Sequence, residues 1–325
     1  MLKIHFSGED ILRTRVAPAA DPVWEAVLSL HVLPERNRDP LLSGWRREVV
    51  RDLRRQDADG LRLLMALNPP RGYFPDFLTP SESVDGFEAG MEAVRRTPVS
   101  LLHRDLTLLA NARSLPADAS ALARGEPAAL EQLTTVMGRY RELALGPYWT
   151  HVQAAVEADR ARRARALLDV GIKGLLTGLW PGVRWDSGIL EIPGYPTSRE
   201  LHLQGRGLLL VPSFFCAPTP VALLDPELPP VLVYPVDRLG GLASNKPEKP
   251  TAALAALLGR TRAAVLAASD DGCSTGELAR RLHISAAAAS QHTTILRNAG
   301  LLVSHRDRNT VLHTLTPLGR AILNT

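Results

Sequence analysis

The stretch "TGELARRLHISAAAASQHTTILRNAGLL", Thr275–Leu302, decides how the last quarter of the chain folds. Just ahead of it Ser274 stands at a helix start. Glu277 follows three residues later in capping-box spacing, and Leu278 and Leu282 share one face. The short "HIS" then leads to Ser285, which caps a second helix expected over 286–298. Gly300 is the residue type that closes such a helix. On a helical wheel Ala289, Thr293, Leu296 and Ala299 make one face, with His292 beside Thr293. Ala286, Ala287, Ser290, Gln291, Thr294 and Arg297 make the other. Two short helices joined this tightly form a helix-turn-helix.

The outer face has the chemistry of a major-groove reader. Glutamine offers a bidentate pair to adenine, and serine and threonine hydroxyls bond bases or phosphates. Alanines at the helix start let it approach closely and touch a thymine methyl. Outward from this pair, "AALAALL" with Thr251 as cap and "RTRAAVLAAS" read as preceding helices. "LLVSHR" and "TVLHTLT" read as a β-ribbon, with Arg306, Arg308 and Asn309 at or near its tip. "TPLGRAIL" starts a last helix, capped by Thr316 with Pro317 at its first position. The order is helix, helix, helix, ribbon, helix, a winged helix-turn-helix.

As an ordered set, "LGRTR", "ELARRLHIS", "SQHTTILRNAGLL" and the arginine-bearing ribbon ending in "LHTLT" resemble the DNA-binding domain of ArsR-type bacterial regulators. The resemblance covers roughly the last 75 residues. It implies binding to double-stranded DNA, usually as a homodimer, with repression the more common outcome. Ser290, Gln291 and Thr294 fall on the recognition face, and Arg297, Arg306 and Arg308 on phosphate. The cysteine pair that metal-sensing relatives carry before the turn is not matched: Cys273 stands alone there, so no metal or cofactor is expected. Thr293 occupies a position where an aliphatic residue is commoner.

Charge supports the same division. The chain has 325 residues, 38 basic and 34 acidic. From residue 251 onward eight arginines face four acids, and the 30 basic and 30 acidic residues elsewhere balance, so the whole excess lies where a polyanion would be met. Two widely separated cysteines, no apolar leader in "MLKIHFSGEDILRTR" and no apolar run near 20 residues suggest a soluble, cytoplasmic protein.

The expected fold class is α+β, predominantly helical. Residues 1–185 read as a helical effector or dimerisation domain, with Asp21-Pro22, Asp39-Pro40 and Thr97-Pro98 as helix starts. Residues 186–239 read as a β-rich subdomain: "GILEIPGY", "SRELHLQ" and "PPVLVYPV" are short strand-like runs, and "GRG" (205–207) marks a bulge or close backbone approach. Residues 240–250 are linker by composition, and 251–325 form the winged domain. "GRGLLLVPSFF" and "PPVLVYP" look like a domain of unknown function that precedes such DNA-binding domains in actinobacterial regulators, which implies no ligand.

A small-molecule effector would sit where the helical and β parts join, lined by Trp180, Trp185, Tyr195, Phe214 and Phe215; that these aromatics are simply core is the stronger reading. The run "DRARRARALL" (159–168) reads as a solvated helix face. "HRDLTLLAN" (103–111) imitates a kinase catalytic loop without the companion motifs. No GxSxG, HExxH or Walker A sequence occurs. The chain is therefore expected to act by binding rather than catalysis, with a protein-interaction module and a fused enzyme as the alternatives.

Overall fold

The computed structural model describes residues 1–34, 39–55, 58–70, 72–216, 219–238, 252–270, 272–307 and 310–323. Thr251 and the 240–250 linker lie outside these. The fold is mixed α+β, with 57% of the described residues helical. Two compact units divide it, residues 1–242 and 243–325. No described helix is long and apolar enough to cross a membrane.

The first unit runs β1 (Leu2–His5), α1 (Gly8–Arg13), β2 (Arg15–Val16), α2 (Pro22–Val32), α3 (Ser43–Leu53) and α4 (Ala58–Leu67). Next come α5 (Phe87–Arg95), α6 (Val99–Ala112), α7 (Ala119–Ala123), α8 (Pro127–Ala144), α9 (Trp149–Val170) and α10 (Ile172–Thr177). It ends with β3 (Arg184–Asp186), β4 (Ile189–Ile192), β5 (Arg199–His202), β6 (Leu209–Ser213), β7 (Val221–Ala222) and β8 (Val231–Pro235).

Residues 2–5 and 15–16, expected with the helices, are instead strands inside the two sheets of this unit. One sheet has the order β3-β4-β1-β5 and the other β2-β6-β8-β7. β1 is antiparallel to β4 (Leu2 opposite Ile192) and parallel to β5 (Leu2 opposite Arg199). The reason is alternation: Leu2 and Ile4 are fully buried and pack with Leu190, Ile192 and Leu201, while Lys3 and His5 take the opposite face. Gly207, within "GRG", is the expected close approach. Its φ is +74°, and a Cβ there would lie 2.7 Å from the Arg13 backbone.

The Asp-Pro signature works as read at α2, where Asp21 Oδ1 accepts from the Val23 and Trp24 N–H groups at 3.0 Å. Two starts differ. Asp39 accepts from Leu41 N–H at 2.9 Å and opens a 3-10 turn (Pro40–Leu42) before α3. Thr97 does not cap α6: Pro98 takes the cap position, and the Thr97 hydroxyl bonds back to the Ala93 carbonyl at 3.3 Å. Gly171, at φ +76°, separates α9 from α10.

The arginine run on α9 is not simply a solvated face. Asp159 is fully buried and accepts from Arg162 at 2.8 Å, Arg163 at 3.0 Å and the Tyr234 hydroxyl at 2.7 Å, which ties α9 to β8. A buried carboxylate survives only with such partners.

The second unit runs α11 (Ala252–Leu258), α12 (Arg260–Ala268), β9 (Cys273–Ser274), α13 (Thr275–Arg281), α14 (Ala286–Asn298), β10 (Leu302–Asp307), β11 (Thr310–Leu315) and α15 (Pro317–Leu323). Its sheet order is β10-β11-β9, the two-residue β9 being an unexpected third strand. The core gathers Val265, Leu266, Leu278, Ala289, Leu296, Leu301, Leu302 and Leu315. All Phe, Tyr and Trp residues of the chain precede residue 243, so this core is aliphatic.

Candidate nucleic-acid interface

The brief link between α13 and α14 has a backbone explanation. His283 takes the left-handed conformation (φ +53°), Ile284 N–H donates to the Ala279 carbonyl at 3.0 Å, and His283 N–H to Arg280 at 3.4 Å. That pattern closes α13 in one residue. Ser285 follows at once, and its Oγ accepts from Ala288 N–H at 3.1 Å to open α14. Ser274 opens α13 in the same way, accepting from Glu277 N–H at 3.2 Å. At its far end α14 is closed by Gly300 (φ +72°), with Leu301 N–H on the Leu296 carbonyl at 2.9 Å.

Helix α14 is therefore held by both ends, and its faces sort as the spacing requires. Ala289, Thr293 and Leu296 are buried. Ser285, Ala286, Ala287, Ser290, Gln291, Thr294 and Arg297 are all exposed. Ala299, expected on the inner face, is exposed too because it sits at the cap. The buried threonine is accounted for: its Oγ1 donates to the Ser290 carbonyl at 3.0 Å, so the methyl packs while the hydroxyl is satisfied within the helix. Beside the alanine start nothing larger than a methyl projects for a full turn.

Arg306 lies in β10 opposite Val311, and Asp307 pairs with Thr310. Arg308 and Asn309 lie outside the described residues. The ribbon is tied to α13 by a residue whose role spacing did not signal. His313 is buried, with Nε2 2.9 Å from Thr275 Oγ1 and Nδ1 2.8 Å from Ser304 Oγ. Burial, and then the charge of Arg297, hold its pKa below the ordinary histidine value. A neutral ring donates through one nitrogen and accepts through the other, which two hydroxyls can match. Of the exposed arginines, Arg320 is paired with Asp270 at 3.4 Å. Cys273 is buried in β9, with Arg281 Nη1 3.9 Å from its sulfur.

The five aromatics expected around an effector are divided between two cores. Phe214 and Phe215 are fully buried with Trp45, whose ring centroid is 4.8 Å from that of Phe215. Trp180, Trp185 and Tyr195 pack on the other core, against the sheet that contains β1. A cleft of about 330 Å³ lies elsewhere, lined by Ala19, Ala20, Gln153, Ala154, Val156 and Glu157.

No protein-family model and no curated protein matches the chain. Among solved structures, reduced HlyU from Vibrio cholerae is 34% identical over 22% of this chain and 77% of its own, with a TM-score of 0.20. A likeness of that extent identifies neither the fold nor the activity of the chain.

Proposed function

We propose that the chain is a cytoplasmic, sequence-specific DNA-binding transcriptional regulator, acting by binding rather than catalysis and more often to repress than to activate. In this reading the second unit is a winged helix-turn-helix. Helix α14 enters the major groove, and the β10–β11 ribbon reaches the backbone or minor groove as the wing. Residues 1–242 modulate DNA affinity, through dimerisation or a small effector. One observation carries the reading: α14 presents Ser290, Gln291, Thr294 and Arg297 along one open strip behind an uncluttered alanine start, while its other face is consumed by the core. Side chains of this kind at this spacing suit base edges and phosphates.

The test is selection of duplexes from fragmented genomic DNA by the full chain, followed by binding titrations at several salt concentrations. Gln291→Ala is expected to lose roughly 1–3 kcal/mol of discrimination at one base pair. Arg297→Ala is expected to weaken binding to all sequences and lower the salt slope by about one. Retention of no duplex by the wild type, or an unchanged selected motif in Gln291→Ala, would sink the reading. Ile295, Val303, Val311 and Leu312, apolar and part-exposed on the same unit, favour a second reading in which this surface meets protein. Failure to retain DNA together with a stable protein complex would select it.

A further inference from the structure

On the open face of the sheet that contains β1, we propose that His5, Glu200 and His202 form a binding site for one divalent transition-metal ion. The parallel pairing sets His5 opposite His202 and Lys3 opposite Glu200, so side chains from β1 and β5 that leave the core converge on the same face. The three ligand atoms all lie within 4.8 Å of one another. Glu200 Oε2 is 3.3 Å from His5 Nε2 and 3.8 Å from His202 Nε2. Zinc–nitrogen and zinc–oxygen bonds of about 2.0–2.2 Å put neighbouring ligands of a tetrahedron roughly 3.3–3.5 Å apart, so the two carboxylate-to-imidazole distances lie near that value while the imidazoles must be re-aimed.

Two further features suit a cation. His5 Nε2 is shielded from solvent and makes no hydrogen bond, with the Glu200 carboxylate as its charged neighbour. Lys3, the ammonium nearest in sequence on this face, is drawn to Glu191 at 3.1 Å, on the opposite side of β1 from Glu200. The imidazole rings are stacked at 4.2 Å and 13°. Both nitrogens cannot aim at one ion in that pose, so binding requires one ring to turn about its soft second torsion. His202 is free to do this, being more than half exposed. Two imidazoles and a carboxylate suit Zn²⁺, Ni²⁺ or Co²⁺ and leave coordination positions open to water. Neither cysteine takes part, since both are buried elsewhere.

Chelator-treated full chain titrated with zinc chloride in a calorimeter is expected to bind one equivalent. Glu200→Ala and His202→Ala, both at exposed positions, should each weaken that binding at least about tenfold with an unchanged circular dichroism spectrum. His103→Ala, an exposed histidine on α6, should leave it unchanged. The cobalt complex should show d–d bands and no thiolate-to-cobalt charge-transfer band. The proposal is overturned if neither zinc nor nickel binds stoichiometrically, if both ligand variants bind as wild type, if His103→Ala abolishes binding, or if cobalt shows a thiolate band. None of these outcomes depends on whether the chain binds DNA.

Discussion

In the first unit Asp10, Asp21, Glu25, Asp76, Asp105 and Asp159 are buried carboxylates. In the second the buried polar side chains are Ser269, Thr293 and His313, with no carboxylate among the described residues. The acids are fasteners between distant parts of the chain. Asp10 accepts from Gly207 N–H at 2.9 Å. Asp76 accepts from Leu224 and Asp225 N–H at 2.9 and 2.7 Å. Glu25 accepts from Phe214 and Phe215 N–H at 2.7 and 3.0 Å and from the Ser213 hydroxyl at 2.9 Å. The second unit satisfies itself locally, Ser274, Ser285 and Thr316 each capping an N–H three residues on. Among its described residues His313, Thr316 and Arg320 reach further along the chain. One unit is sewn by desolvated acids across great sequence distance, the other by caps and aliphatic packing.

The largest test of this contrast is Glu25→Ala, which strands two backbone N–H groups and a hydroxyl among buried residues. A loss of roughly 3 kcal/mol or more is expected in denaturant unfolding. All five tryptophans lie between Trp24 and Trp185, so their fluorescence reports the first unit while far-UV dichroism sees both. A loss below 1 kcal/mol would mean the acids are ornaments of a core that holds without them.

A sharper test uses pH, because α2 carries two desolvated groups of opposite sign, fully buried Glu25 and part-buried His31. Burial pulls the His31 pKa from 6.5 down to about 4. Burial likewise pushes Glu25 from 4.5 up to about 7, outweighing its hydrogen bonds from Phe214, Phe215 and Ser213 and the charge of Arg238. Below about pH 6.5 the unfolded chain takes a proton on His31 that the folded chain refuses, so that stability is lost on acidification toward pH 4. Between pH 4.5 and 7 the folded chain keeps a proton on Glu25 that the unfolded chain releases, so that stability is lost as pH rises. His31→Leu should flatten the acid limb, by roughly 3 kcal/mol at full titration, and Glu25→Gln the neutral limb. Slopes that move together in the two variants would refute the assignment.

The smallest test is Ser274→Ala in the second unit. Loss of one cap should cost about 1 kcal/mol, seen in far-UV dichroism and absent from tryptophan fluorescence.

This contrast also explains what could be read in advance. In the second unit the signals that matter are three or four residues apart: Ser274 with Glu277, Ser285 with Ala288, Ala289 with Thr293 and Leu296. Sequence spacing therefore located both helices, their caps and the outward face of α14. In the first unit Asp10 closes a local capping box with Ser7, but the partners by which Asp10, Glu25 and Asp76 join distant segments are 148 to 197 residues away, and no local pattern announces them. The strand character of residues 2–5 was hidden for the same reason, since its neighbours are Ile189–Ile192 and Arg199–His202. The alternation Glu200-Leu201-His202 was visible, but His5 joins it only through pairing across the sheet. An aromatic cluster inferred from composition was likewise split by topology, Phe214 and Phe215 to one core and Trp180, Trp185 and Tyr195 to the other.

Strand β1 lies between β4 and β5, although both partners are encoded some 190 residues downstream. During synthesis it precedes both partners and can be completed only near the end of the unit, so Leu2 and Ile4 must wait uncovered on a nascent chain until β4 and β5 have been made. Assembly of that sheet is thus a late event, and any extension fused ahead of Met1 would emerge beside Tyr195 and Thr197, whose carbonyls accept from the terminal amine at 3.3 and 3.2 Å.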